Sequence, residues 1–202
     1  MSGSGDRNAP EDDSPSPDVR LANIGAEIWG YITATPRPDP GPLALLHVLA
    51  GAALFPLSRI MDGMTDEELG WAPVPDAMPM DWVPQGHDPS NDPFTTIGWR
   101  WRHLAEALHA IPDSLGPESP QWPERPPEIV DAESAGTNLA MGIRRAAEAL
   151  AAATEERLDE LIDNDFGRHS RRHWVTLMLV ETVHHAAEVG VLRDLYKRRG
   201  AS

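Results

Sequence analysis

Apolar positions recur three and four residues apart over four long stretches of this chain, and no stretch sustains the period-two alternation of a strand. The first stretch runs from Pro42 to Asp62. There Leu43, Leu45, Leu46, Val48, Leu49, Leu54, Leu57 and Ile60 cover more than one face, as expected of a well-buried helix. Pro42 suits the first helical position, Gly63 the stop, and Pro56 predicts a kink. A second helix is expected from an N-cap at Thr95 or Thr96 to Ile111, ending before Pro112. The third runs from about Ser134 through an alanine-rich segment to Ile162. The fourth follows Ser170 as N-cap and reaches Arg198, with Lys197, Arg198 and Arg199 complementing the negative end of its dipole and Gly200 following. Four such lengths predict an all-α fold, a single four-helix bundle. No internal repeat of solenoid type is visible.

The connections are unusual for their length and proline content. Residues 64–94, with Trp71, Met78, Met80 and Trp82, and residues 112–133 both exceed the ~15 residues beyond which loops in compact domains tend to be lids or binding loops. The plainer role for the two tryptophans is to plug the end of the bundle. Upstream, Val19, Leu21, Ile24, Ile28 and Trp29 predict an extra short amphipathic helix over Asp18 to about Ala34, closed by Pro36, Pro38 and Pro40. Residues 1–17 hold too few apolar side chains to offset ordering entropy and are expected to form a disordered tail. The expected organisation is therefore a tail over 1–17 and one helical bundle domain over 18–202.

Composition narrows the function classes. A net charge of −15 disfavours nucleic acid and anionic membrane surfaces, because phosphate recognition depends on clustered Lys and Arg. The N-terminus has neither the basic nor the apolar region of a signal peptide, and no apolar run approaches the ~20 residues that span a bilayer. A cytoplasmic location is the expectation. With no cysteine, disulfides are excluded and any metal must be held by His and carboxylates.

Those ligand types occur together in Glu181-Thr-Val-His-His-Ala-Ala-Glu188. Glu181 and His185 are four apart, so a helix stacks them on one face, the spacing with which two ligands share one divalent ion. His184 and Glu188 form a rival pair about one hundred degrees around the same helix. On the second helix, His103 sits within the apolar spacing of Ile97, Trp101, Leu104 and Leu108. His103, Glu181 and His185 together would make a two-histidine, one-glutamate set of the kind catalytic zinc uses. A buried Glu181 would need a compensating cation, either a metal or an arginine such as Arg102, Arg144 or Arg193. On spacing alone, helix-surface hydrogen bonding is the plainer account of the Glu181/His185 pair and a metal site is not the favoured one, and spacing does not choose between the two pairs. His47, His87, His109, His169 and His173 read as packing or surface residues.

Three segments resemble a known family. Phe94-Thr-Thr-Ile-Gly-Trp-Arg-Trp-Arg-His-Leu-Ala-Glu106 is similar to the second-helix motif of DinB-like four-helix proteins, in which the histidine before leucine is a metal ligand. Glu181 to Leu195 resembles their fourth-helix signature, and Asp62-Gly-Met-Thr-Asp-Glu-Glu-Leu-Gly-Trp-Ala-Pro73 the end of their first helix and the loop after it. The resemblance spans about residues 42–198. It implies an up-down-down-up bundle with a long crossover, and members often pair, so a homodimer is among the expectations. The family's usual triad is three histidines; this chain has Glu181 at the second ligand position. The resulting His103/Glu181/His185 set is similar to that of mycothiol-dependent maleylpyruvate isomerase, whose additional C-terminal domain has no counterpart after Tyr196. By that likeness the Glu181/His185 pair is selected over His184/Glu188.

The function so implied is a divalent-metal-dependent thiol S-transferase, with zinc, or else nickel, activating a low-molecular-weight thiol such as mycothiol or bacillithiol toward a small-molecule substrate. The alternatives are a metal-dependent hydrolase using the same site, and a non-catalytic, stress-related bundle that binds a metal or small ligand.

Overall fold

The computed structural model describes residues 41–81, 94–116, 125–164 and 166–200. The expected tail, the short helix over 18–34, Trp82 and His87 lie outside them. The described elements are α1 (Pro42–Ile60), α2 (Asp66–Leu69), α3 (Ile97–Leu115), α4 (Ala132–Ala152), α5 (Glu155–Asp159), a hairpin of β1 (Leu161–Asn164) and β2 (Gly167–Ser170), and α6 (Arg171–Arg198).

Side-chain capping fixes where the helices start. Thr96 accepts from the Trp99 amide at the head of α3, and Ser170 accepts from His173 at the head of α6. Asp131 and Ser134 form a reciprocal capping box at the head of α4, two residues before the expected start. Pro56 lies within α1 and does not end it, although α1 stops at Ile60 rather than Asp62. Pro112 likewise fails to end α3, which continues to Leu115. The ring removes one hydrogen bond, but Ile111 and Leu115 are buried on either side and hold the last turn in the core.

The largest departure from expectation lies between α4 and α6. The helix expected to reach Ile162 ends at Ala152, and Thr154 caps the new short helix α5 by accepting from Arg157. A strand follows where none was expected. β1 pairs antiparallel with β2 in the register Leu161↔Ser170 to Asn164↔Gly167, and Gly167 adopts φ +96°, which a side chain would resist. Four-residue strands are too short to register as alternation, and Thr154-Glu-Glu continues an alanine-rich helix convincingly unless read as a cap.

The order of the four long helices follows from their end contacts. The Leu43 amide donates to Glu155 just after α4, and the Ala132 amide at the start of α4 donates to Asp66 just after α1, so α1 and α4 run antiparallel. Arg193, near the end of α6, donates to the Ile60 carbonyl at the end of α1, so those two run parallel. Arg157 and Arg171 donate to the Leu115 and Ser114 carbonyls, bringing the end of α3 to the start of α6. The bundle is up-down-down-up, with the long crossover between the parallel pair α3 and α4. Those arginines also supply donors to carbonyls that the last turn of α3 leaves free.

Trp101, Leu104, Leu108 and Ile111 from α3 pack with Leu54 and Leu57 of α1, Leu139 and Ile143 of α4, and Val175, Leu179 and Val189 of α6. Each such side chain, removed from water, contributes roughly 1.5–3 kcal/mol. Helix α6 is long and apolar enough by composition to cross a membrane, and here it packs against α1, α3 and α5. Trp71 lies against the core and meets Tyr196 edge-on at 5.7 Å, the plugging role expected of it. Met78 bridges to Thr95, donating to Phe94 O and accepting from Thr96 N, so the loop is stitched to the head of α3. Gly98 lets that loop lie close: a Cβ there would come within 3.1 Å of the Leu69 carbonyl and of Met80.

Candidate metal centre

The antiparallel packing of α3 on α6 sets Trp99, Arg100 and His103 opposite Glu181, His184, His185 and Glu188. One ligand atom from each of His103, Glu181 and His185 lies within 4.8 Å of the others. The three form a gradient of access. His185 is buried, with 5% of its side chain exposed, against 34% for Glu181 and 42% for His103. His185 thus lies in the interior, and the other two ligand candidates reach the surface.

His185 is held through its Nδ1 nitrogen. Its Nδ1 lies 2.7 Å from Glu188 Oε2 in hydrogen-bond geometry. An ionised carboxylate only accepts, so Nδ1 is the nitrogen that donates to Glu188, and in the neutral ring Nε2 then keeps its lone pair. That Nε2 is buried and has no hydrogen-bond partner among the described residues. It nonetheless stands 3.1 Å from Glu181 Oε2. A nitrogen and a carboxylate oxygen at that separation are joined either by a proton on Nε2 or by a cation that both share. Ligand atoms around tetrahedral zinc stand about 3.4 Å apart, so this pair has the spacing of two donors on one ion. The ring of His103 closes the third side, 4.8 Å from His185 centroid to centroid and nearly perpendicular to it. His103 stacks on Trp99 at 5.3 Å, and its Nδ1 faces Glu106 Oε2 at 3.6 Å. The residues present therefore fit a divalent ion.

Glu188 is also gripped from α3. Arg100 Nε lies 3.1 Å from the same Oε2, and His184 Nε2 is 3.4 Å from Oε1. Burial opposes the charged carboxylate, but the hydrogen bond from His185 and the charges of Arg100, His185 and His184 outweigh it, and the Glu188 pKa falls below the usual glutamate value. Glu106 is held down too, first by its hydrogen bond with His103, against a smaller opposing effect of burial, with the charges of His103 and Arg102 adding to it.

All three expected ligands are thus brought together, but the cations expected beside Glu181 are elsewhere. Arg193 is buried against Glu68, with Nε 2.6 Å from Oε1. Arg102 faces Glu106 at 3.8 Å, and Arg144 is exposed. Glu181 is half-buried rather than sunk in the core. The rival pair separates physically: His184 is 60% exposed, and Glu188 is occupied by His185 and Arg100. Sequence reasoning missed Arg100 and gave Glu188 no supporting role. The signals were Arg100 three residues before His103 and Glu188 three after His185, the helical spacing of same-face neighbours.

Fold and site define an all-α, up-down-down-up helical bundle with a candidate His/Glu/His metal centre between its second and fourth long helices. The chain belongs to the DinB superfamily, a metal-binding family whose sequence model matches residues 56–189. No curated protein and no solved structure matches the chain significantly.

Proposed function

We propose that this chain is a divalent-metal-dependent thiol S-transferase, with His103, Glu181 and His185 holding the ion. The observation that carries the reading is the buried Nε2 of His185, without a hydrogen-bond partner among the described residues and 3.1 Å from the carboxylate of half-buried Glu181. A divalent ion bound there would act as a Lewis acid, lowering the pKa of a thiol so that it reacts as thiolate. Zinc suits a nitrogen-and-oxygen ligand set, and nickel is accommodated by the same donors.

The chain's own residues supply the rest. Two neutral imidazoles and one carboxylate carry a single negative charge, so a dicationic centre keeps positive charge for an anionic sulfur. Burial of His185 keeps water from its ring, while partly exposed His103 and Glu181 leave an approach for substrate. With no cysteine in the chain, the sulfur must come from a low-molecular-weight thiol such as mycothiol or bacillithiol. The thiol proton leaves to solvent, the sulfur forms a bond to an electrophilic carbon of a small substrate, and the leaving group departs with its electron pair. Such thiols are kept reduced in the cytoplasm, which is where this reading places the protein.

The test is elemental metal content of the purified chain with His103→Ala and His185→Ala, followed by turnover of electrophile panels with and without thiol. About one divalent ion per chain is expected, strongly reduced in either variant, with turnover only when thiol is present. Full metal occupancy surviving both substitutions would sink the ligand set. Turnover without thiol would mark a hydrolase that activates water at the same centre, and retained metal with no turnover a binding protein.

A further inference from the structure

We propose that Glu188 is a positioning residue that locks His185 in the Nδ1–H tautomer and aims its Nε2 lone pair at Glu181 and His103, with Arg100 as the anchor that holds Glu188 in place. Its consequence for metal affinity rests on the reading above; the tautomer lock itself does not. Four contacts carry it. Glu188 Oε2 accepts from His185 Nδ1 at 2.7 Å and lies 3.1 Å from Arg100 Nε. Oε1 faces His184 Nε2 at 3.4 Å. Arg100 Nη1 lies 3.3 Å from His185 Nδ1; both nitrogens are donors once Nδ1–H points at the nearer Glu188, so this contact acts through the guanidinium's charge, which bars a cation from that side of the ring. Nε2, on the far side of the ring, has no hydrogen-bond partner among the described residues and faces Glu181 Oε2 at 3.1 Å.

The alternative role for Glu188 is that of ligand, since it also clusters with His184 and His185. The guanidinium decides against this. A divalent ion on Glu188 Oε2 would sit against the positive charge of Arg100 and would have to displace the His185 proton. Around Glu181 no arginine pairs among the described residues, and an ion there meets only acceptors. Arg100 is itself braced, lying over the Trp99 ring at 5.1 Å. The chain of support therefore runs Trp99, Arg100, Glu188, His185, and it crosses from α3 to α6. A carboxylate behind a ligating imidazole raises its basicity and fixes its orientation, and removing one typically costs 10–100-fold in metal affinity.

Two measurements on the full chain test this. In the metal-free protein, long-range nitrogen–proton NMR of the imidazoles at fixed neutral pH should show His185 as a single Nδ1–H tautomer, and Glu188→Ala should mix the tautomers. In the second, zinc affinity is measured by competition with a chromophoric chelator, and the cobalt-substituted absorption spectrum is recorded. Glu188→Ala should bind zinc roughly 10–100-fold more weakly with a shifted cobalt spectrum. Glu188→Gln, whose amide oxygen can still accept from Nδ1, should recover most of both, and Arg100→Met should fall between. An unchanged tautomer in Glu188→Ala, or unchanged affinity and spectrum, overturns the proposal. So does abolition of binding in both Glu188→Ala and Glu188→Gln to the level of His185→Ala, since that marks a ligand. Wild-type protein that binds no metal would defeat the thiol-transferase reading, and the NMR comparison would still decide the role of Glu188.

Discussion

Two imidazoles one helical surface apart show how burial and partners divide chemistry between identical side chains. His109, on α3, donates from Nε2 to Asn138 Oδ1 at 3.1 Å, and Asn138 Nδ2 donates to the Pro127 carbonyl, which fixes the amide's orientation. Burial disfavours its cation most, and although the hydrogen bonds with Asn138 and the charge of Asp113 oppose, the nearby charge of Arg145 adds to burial and the pKa falls below the usual histidine value. The folded state therefore takes up this proton at lower pH than the unfolded chain does. Stability is unaffected above about pH 6.5 and declines as pH falls from there toward the folded value. Melting temperature measured at pH 7.5 and 5.5 should drop more in the wild type than in His109→Gln, which keeps a donor for Asn138 but cannot charge. Equal drops would show that His109 is not the group responsible. Sequence reading took His109 as a packing or surface residue, which its half-buried environment matches. The family resemblance placed His185 in a ligand set, which the geometry permits: one of its ring nitrogens lies within 4.8 Å of ligand atoms of His103 and Glu181. Neither could show which ring nitrogen each uses, because that depends on partners such as Pro127, 11 residues from Asn138, and Arg100, 85 residues from His185.

At the scale of elements, the parts legible in the chain were those with local causes. Ser170 and Thr96 were readable as caps because a hydroxyl satisfying an amide three residues on is a local event. Thr96→Ala should cost about 1 kcal/mol in denaturant unfolding, with Thr96→Ser near wild type. A loss in the serine variant as large as in alanine would assign the effect to packing around this buried residue. What the chain did not disclose are long-range pairings. Arg193 was a candidate partner for Glu181, yet it joins α6 to the segment after α1, with Nε 2.6 Å from Glu68 Oε1 and donors to the Ile60 and Asp62 carbonyls. Both side chains are buried, 7% and 3% exposed, so removing one leaves an uncompensated charge in the core. Arg193→Met should therefore lower unfolding free energy by about 3–5 kcal/mol. Adding Glu68→Gln to it should restore part of that loss, since the stranded charge is gone. A double variant that is the sum of two full losses would mean that the pair stabilises the bundle through its separate contacts instead.

Over the whole molecule, the bundle topology makes the candidate centre a cross-link between helices far apart in sequence. His103 lies on α3, Glu181 and His185 on α6, and the crossover, α4, α5 and the hairpin intervene. The up-down-down-up order was visible through resemblance, and helix end contacts account for it physically; the hairpin was hidden because its two strands are only four residues each. An ion bound by both helices favours the folded state by its binding free energy, because the unfolded chain does not hold the three ligands together. At a free metal concentration one hundred times the dissociation constant, this amounts to about 2.7 kcal/mol. For a chain of this size each kcal/mol raises the melting temperature by about 2–4 °C, so saturating zinc should raise it by roughly 5–11 °C, and a chelator should reverse the shift. His103→Ala, altered at a half-exposed position, should melt close to the metal-free wild type and show little response to zinc. If zinc stabilises His103→Ala as strongly as the wild type, the ion is held by α6 alone, and His184, His185 and Glu188 become its site in place of the cross-link.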